Sequence, residues 1–135
     1  MTIGGFPINI KQMYIISIKT GFSASHRIRG YKGNCSRLHG HNYKVEVNVK
    51  VDAVNKLGMC IDFRELKSIS NKAVNSLDHK NLNDIAFFKE NNPTAENIAK
   101  FLFGRIRKGL KVRSLLHSVK VWETEEYAVT YSDAT

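Results

Sequence analysis

The chain has 135 residues, of which 42% are hydrophobic and 24% are charged, close to the averages of globular domains. A chain of this length can build one hydrophobic core without disulfide bonds. Its apolar runs are only a few residues long, far short of the ~20 residues of a membrane-spanning helix. The composition therefore excludes a transmembrane protein and a disordered chain.

The charge is strongly basic. Lys and Arg number 21 against 12 Asp and Glu, which gives a formal net charge of +9. Such an excess favours an anionic partner, whether nucleic acid, an acidic membrane surface or a phosphorylated small molecule. Residues 97–121 contain several cations and no acid, and a run of this kind is most often a solvated face.

The N-terminal segment and the cysteines bear on the compartment of the protein. The N-terminal residues lack the basic region, the continuous apolar stretch and the cleavage site of a signal peptide, so we expect a cytoplasmic protein. Cys35 and Cys60 are then expected to remain thiols.

No repeat, low-complexity tract or linker interrupts the chain, so we expect a single domain over residues 1–135, with residues 1–12 as a flexible N-terminal extension. Two segments alternate with a period of two, which predicts half-buried strands. The first covers residues 14–22. The second covers residues 41–52 and places Tyr43 and four valines on one face, with polar residues on the other.

Two helices and two strands follow. After Gly58 the apolar period changes to three and four, and Asp62 and Glu65 have the spacing of a capping box. A second helix begins near Pro93 and Thr94 and ends close to Gly109. Residues 119–121 and 127–131 then predict two short strands. The order ββααββ predicts an α+β fold, a four-stranded antiparallel sheet with both helices on one face.

The motif His39-Gly40-His41 is the sharpest chemical signal. Residues two apart on a strand lie on the same side, roughly 6.5 to 7 Å apart. Strand parity places both histidines on the dry face, and His26 shares the parity of Phe22 if the first strand continues. Three converging imidazoles fit a zinc ion with one open coordination position. The alternative is a set of buried histidines satisfied by other partners.

Cys35 lies four residues before His39. One interpretation is a fourth ligand that closes a structural zinc site. The other is a thiol beside the metal, where the positive charge favours the thiolate and makes it a base or nucleophile.

Three more residues are candidates. Asp78 could orient the adjacent His79, although such pairs are often only polar helix ends. Glu123 shares the parity of a core strand, where a carboxylate needs a partner, unless the strand has already reached solvent there. His117 and Cys60 have no such context and are interpreted as structural.

These residues stand in blocks that resemble the 6-pyruvoyl-tetrahydropterin synthase family. The blocks run in family order over about residues 14–131, nearly the whole chain. They are Phe22-Ser23-Ala24-Ser25-His26, Cys35-Ser36-Arg37-Leu38-His39-Gly40-His41, Leu77-Asp78-His79-Lys80-Asn81-Leu82-Asn83, Asn92-Pro93-Thr94-Ala95-Glu96-Asn97 and Glu123-Thr124.

The resemblance implies the tunnelling fold, in which subunits join into a barrel and two trimers stack as a hexamer. It implies zinc held by three histidines and a pterin triphosphate substrate. Because the sequence does not interleave aromatic and basic residues, we expect no nucleic-acid partner, and the short apolar runs lead us to expect no membrane partner. The implied roles are zinc ligation by His26, His39 and His41, proton acceptance by Cys35, a proton relay of Asp78 and His79, pterin anchoring by Glu123, and pterin contact by Thr94 and Glu96.

The spacing of three residues between Cys35 and His39 looks like the bacterial branch, the 6-carboxy-5,6,7,8-tetrahydropterin synthases of queuosine biosynthesis. The implied reaction is a carbon-carbon lyase step on 7,8-dihydroneopterin triphosphate. One alternative is pyruvoyl-type synthesis, which eliminates triphosphate without cleaving the side chain. A distant alternative is a non-catalytic zinc domain that binds nucleic acid.

Overall fold

The computed structural model describes residues 2–7 and 12–133. They form an α+β fold built on a five-stranded sheet with strand order β5-β3-β4-β6-β7. The sheet strands are β3 Tyr14–His26, β4 His39–Val51, β5 Lys80–Asn81, β6 Leu116–Trp122 and β7 Ala128–Tyr131, and a separate two-stranded ribbon contains β1 Thr2–Ile3 and β2 Phe6–Pro7. The helices are α1 Phe63–Asn75, α2 Ala86–Glu90 and α3 Ala95–Gly109.

A long antiparallel hairpin of β3 and β4 is the centre of the sheet. Its register runs from Tyr14 opposite Val51 to His26 opposite His39. The alternating pattern predicted in both segments is confirmed, because Val45, Val47 and Val49 are fully buried while the residues between them carry the polar face. The first strand continues four residues beyond the predicted segment, to His26.

The two predicted helices cover the dry face of the sheet. The Asp62 side chain caps α1 by accepting a hydrogen bond from the Arg64 backbone N–H at 2.8 Å. Together with α3, this helix encloses the core against the sheet. Fully buried side chains of this core include Leu66, Leu77, Ile98, Leu102, Ile106, Val119 and Val121.

The sheet has one strand more than the predicted four. The added strand, β5, has two residues and pairs in parallel with β3 at Ala24 and Ser25. The helix α2 has five residues and was also not predicted. Both elements are too short to show a hydrophobic period, so the sequence pattern carries no signal for them.

Part of the predicted N-terminal extension has structure. Residues 2–7 form the ribbon of β1 and β2, turning through Gly4 and Gly5, whose φ angles are 57° and 83°. Residues 8–11 of the extension lie outside the described residues. Within the described chain, no helix has the length and apolar character to cross a membrane.

Candidate metal centre

Four side chains converge at one end of the central hairpin. His26 is the last residue of β3, and His39 and His41 stand at the start of β4, with His26 opposite His39. Glu123 follows directly after β6. One ligating atom from each of the four residues lies within 4.8 Å of the others. The predicted convergence of the three histidines is therefore present in the structure, and Glu123 joins it.

The backbone fixes the orientation of two of these rings. His26 Nδ1 lies 2.6 Å from the Pro93 carbonyl, and His39 Nδ1 lies 2.6 Å from the Arg37 carbonyl. A carbonyl oxygen only accepts, so each Nδ1 carries the proton and donates it. The Nε2 atom of each ring is left with its lone pair directed at the centre, which is the arrangement of a metal-binding histidine.

The two free nitrogens are close together. His26 Nε2 and His39 Nε2 lie 3.1 Å apart, and two lone pairs at that distance repel unless positive charge lies between them. Nitrogen ligands on a tetrahedral zinc ion are about 3.3 Å apart, as follows from Zn–N bonds of about 2.0 to 2.1 Å. The spacing therefore fits a single small cation, and a proton on His26 would meet the same need in its absence.

His41 supplies a third nitrogen at the centre. Its Nε2 is buried and has no hydrogen-bond partner within the described structure; Glu123 Oε1 lies 3.2 Å away without the alignment of a hydrogen bond. Burial lowers the pKa of His41, against the opposing effect of the Glu123 charge, which favours the neutral ring. A buried, neutral, unpaired ring nitrogen is costly unless an ion uses it. The donor set thus fits a metal ion.

Glu123 provides negative charge at the centre. Its Oε1 lies 3.1 Å from His26 Nε2. The pKa of Glu123 is lowered, because the carboxylate accepts a hydrogen bond from His26 when that ring is protonated and because it lies near His41. The side chain is 30% exposed, so both sequence interpretations hold in part: Glu123 ends its strand near solvent and has buried partners.

Cys35 is not part of this cluster. It is exposed, in a short 3₁₀ helix of residues Asn34–Ser36. The carboxylate of Glu123, rather than the thiol, stands beside the three histidines. The arrangement does not support the interpretation of Cys35 as a fourth ligand.

Asp78 and His79 form the expected pair directly before β5. His79 Nδ1 lies 3.0 Å from Asp78 Oδ2. Asp78 Oδ1 accepts the Ser23 backbone N–H at 2.9 Å, and this bond, with the one from His79, lowers the pKa of Asp78. His79 has a φ of 57°, a conformation that is strained for a non-glycine residue. Its ring is 82% exposed, and it lines an open pocket of about 410 Å³ with His41.

Comparison with known proteins decides the family. The model of the family described as 6-pyruvoyl tetrahydropterin synthase matches residues 15–134. The chain belongs to this family. The chain is similar to the solved structure of the Caenorhabditis elegans 6-pyruvoyl tetrahydropterin synthase, with 28% identity and a TM-score of 0.84 over 94% of this chain and 100% of that one.

Relatives within the family carry different names. A protein of Archaeoglobus fulgidus, provisionally named a 6-carboxy-5,6,7,8-tetrahydropterin synthase, is 42% identical over 87% of this chain and 94% of its own length. A dihydroneopterin monophosphate aldolase of Pyrococcus furiosus is 37% identical over 84% of this chain and 93% of its own length. Identity alone therefore shows the family and leaves the reaction to be argued from the site.

Two residues of the fourth family block have structural partners. Thr94 caps α3, because its Oγ1 accepts the Asn97 backbone N–H at 3.2 Å. Glu96 is exposed in the first turn of the same helix. The structure places neither side chain in the histidine cluster.

The structure also assigns parts to residues that the sequence did not single out. The carbonyl groups of Pro93 and Arg37 orient two of the histidines, and the Tyr43 hydroxyl lies 3.3 Å from His26 Nδ1. A carbonyl is present at every residue, so no residue type could have signalled the first two. Tyr43 was predicted only as a core residue, on the parity that it shares with His41.

Proposed function

We propose that this protein is a zinc-dependent lyase that converts 7,8-dihydroneopterin triphosphate to 6-carboxy-5,6,7,8-tetrahydropterin, releasing acetaldehyde and triphosphate. The observation that carries the proposal is the convergence of ring nitrogens from three histidines, two of them oriented by backbone carbonyls, in a chain of this family. The Archaeoglobus relative and the three-residue spacing between Cys35 and His39 favour the carboxy product.

The proposed metal ligands are His26, His39 and His41. Zinc suits imidazole nitrogens, and three protein ligands leave a position for water or substrate, as in catalytic zinc sites. When bound, the ion supplies Lewis acidity that stabilises negative charge developing on oxygen atoms of the substrate. The rings are held rigidly for that purpose, since Pro93 and Arg37 fix two of them through their Nδ1 protons.

Proton transfer is assigned to two side chains outside the cluster. Cys35 accepts a proton from a C–H group of the substrate side chain. His79 returns one, with Asp78 holding its Nδ1 so that Nε2 is free to exchange protons. A positioned proton transfer typically contributes about 10²- to 10⁴-fold to the rate. The exposed His79 ring and the exposed Cys35 are both accessible to a substrate.

Glu123 is proposed as the pterin anchor. A pterin presents adjacent N–H donors that one carboxylate accepts together, and such charge-assisted pairs are short and directional. The lowered pKa of Glu123 keeps the carboxylate ionised for this role. Thr94 and Glu96 are proposed as further pterin contacts by family resemblance, and the net charge of +9 suits a triphosphate substrate.

Pyruvoyl-type synthesis is the second candidate, favoured by the close structural match to the Caenorhabditis elegans enzyme. It uses the same residues and eliminates triphosphate while the side chain stays intact. The two candidates differ in one product, acetaldehyde.

An anaerobic incubation of the purified protein with 7,8-dihydroneopterin triphosphate tests the proposal. Mass spectrometry should detect acetaldehyde and 6-carboxy-5,6,7,8-tetrahydropterin in equal amounts. The Cys35→Ala variant serves as the control and should form neither at a comparable rate. A 6-pyruvoyl product without acetaldehyde would assign the protein to the pyruvoyl reaction, and no turnover of the triphosphate by the zinc-loaded protein would overturn both.

A further inference from the structure

The loop of residues 27–38 joins the two strands that carry the histidines, and it contains Cys35. Its apolar side chains are largely in solvent: Tyr31 is 59% exposed and Leu38 is 58% exposed. Burial of apolar surface therefore does little to fix this loop. Hydrogen bonds must hold it in place.

Two asparagines supply those bonds in the same way. The Arg27 backbone N–H donates to Asn83 Oδ1 at 2.8 Å, and Asn83 Nδ2 donates back to the Arg27 carbonyl at 3.0 Å. The Arg29 backbone N–H donates to Asn92 Oδ1 at 3.1 Å, and Asn92 Nδ2 donates back to the Arg29 carbonyl at 2.9 Å. Each side-chain amide thus pairs with one backbone residue as a neighbouring strand would. We call these four bonds the asparagine clamp.

The clamp is one hydrogen bond away from the thiol-bearing residue. Ile28 lies between the two clamped residues, and its N–H donates to the Cys35 carbonyl at 2.8 Å. The Arg29 guanidinium adds a bond to the Phe88 carbonyl at 2.6 Å. The position of Cys35 along the loop is therefore tied to the clamped segment.

The same clamp is tied to the metal centre. Asn92 directly precedes Pro93, whose carbonyl holds the ring of His26. The Asn92 carbonyl accepts a bond from Asn97 Nδ2 at 2.9 Å, which fixes this turn to the start of α3. Asn92 and Pro93 therefore fix both the ring of His26 and the first residues of the loop that contains Cys35.

We propose that Asn83 and Asn92 are positioning residues that hold the Cys35 loop in register with the histidine cluster. The proposal rests on the proposed function, in which the Cys35 thiol takes a proton from the substrate. Misplacing a reacting group by about 1 Å can cost about a hundredfold in rate, so a loop with exposed side chains needs such a device.

The test compares Asn83→Ala with Asn91→Ala in the metal-loaded protein. Asn91 is an exposed residue that directly follows α2, and its Nδ2 donates to the Phe87 carbonyl within that helix. Removing this side chain should therefore leave the loop unchanged. In Asn83→Ala, amide hydrogen exchange within residues 27–38 should rise about tenfold, while α1, β4 and β6 stay protected. If Asn83→Ala does not fold, Asn83→Asp replaces it, because it keeps the acceptor and removes the donor. Unchanged exchange in the loop would overturn the proposal.

A double-mutant cycle adds a readout that a structural role alone would not move. Asn83→Ala should lower kcat by about ten- to a hundredfold with KM and metal content little changed. In a Cys35→Ala background the same change should have no further effect on kcat, because the clamp acts through the thiol. If the decreases in kcat caused by the two substitutions were additive, the clamp would not act through the thiol.

The two proposals can fail separately. If Cys35→Ala leaves kcat unchanged, the proton-accepting role in the proposed function is wrong, and the exchange experiment still decides whether the asparagines hold the loop.

Discussion

At the residue scale, the hydrogen bond at Nδ1 of a histidine determines which ring nitrogen carries the proton. His26 and His39 give their Nδ1 protons to backbone carbonyls at 2.6 Å, so their Nε2 atoms point into the centre, where they lie 3.1 Å apart. Burial lowers the pKa of His41, against the opposing effect of the Glu123 charge. Metal ligation uses the neutral ring, and the Nδ1 contacts of His26 and His39 direct their Nε2 atoms at the centre.

The role of Glu123 is tested by Glu123→Gln, which preserves shape but places an NH₂ donor where one acceptor oxygen was. If Glu123 anchors the pterin, the mismatch leaves a buried polar group unpaired at a cost of about 1 to 3 kcal/mol. We therefore expect kcat/KM to fall about tenfold or more, measured in steady-state assays, with zinc content unchanged.

The zinc content of this variant is informative because Glu123 Oε1 lies 3.1 Å from His26 Nε2. A carboxylate that served as a fourth ligand would close the coordination sphere, and Glu123→Gln would then release metal. Metal loss, or an unaltered kcat/KM, would refute the anchoring role.

At the element scale, the alternating hairpin explains why much of the site could be predicted. A period of two fixes which side chains share a face, so parity alone placed His26, His39 and His41 together. It also indicated that Glu123 lies near the buried side. The hairpin register then makes His26 face His39.

The parts that could not be predicted depend on short elements and on backbone groups. β5 is a parallel strand of only two residues, which is too short to show an alternating hydrophobic pattern. The asparagine clamp uses Asn83 and Asn92, whose type favours turns and loops in general. Only the folded chain shows that they bind the backbone of Arg27 and Arg29.

Thr94 allows a test at the scale of a single helix. Thr94→Ala removes the acceptor for the Asn97 N–H and should lower the free energy of unfolding by about 1 kcal/mol, measured by urea denaturation. Thr94→Ser keeps the cap and should restore most of that stability. An unchanged free energy of unfolding in Thr94→Ala would contradict the capping account, whereas a raised KM would support the proposed contact of Thr94 with the pterin.

At the scale of the whole molecule, the sheet leaves surfaces that a single chain does not cover. In the described residues, β5 pairs with β3 only at Ala24 and Ser25, so residues 14–22 have no neighbouring strand on that side, and β7 is the edge on the other side. Open edges are usually protected in native proteins. On the polar face, Lys19 and Lys120 lie over the ring of Trp122.

We therefore expect these edges to pair between subunits, as the family resemblance implies, and the protein to be a hexamer. Light scattering of an active sample at micromolar concentration should give a mass about six times that of the 15.3 kDa chain. A mass near that of one chain in a sample with full activity would contradict this assembly.

The most direct test of the central claim, a metal ion held by three histidines with Cys35 free of it, is the metal content of matched variants. Elemental analysis should find about one zinc ion per chain in the native protein and in Cys35→Ala. His41→Ala removes a buried ring nitrogen that has no hydrogen-bond partner within the described residues, and it should lose most of the metal and the activity. Full zinc content in His41→Ala, or its loss from Cys35→Ala, would contradict the account.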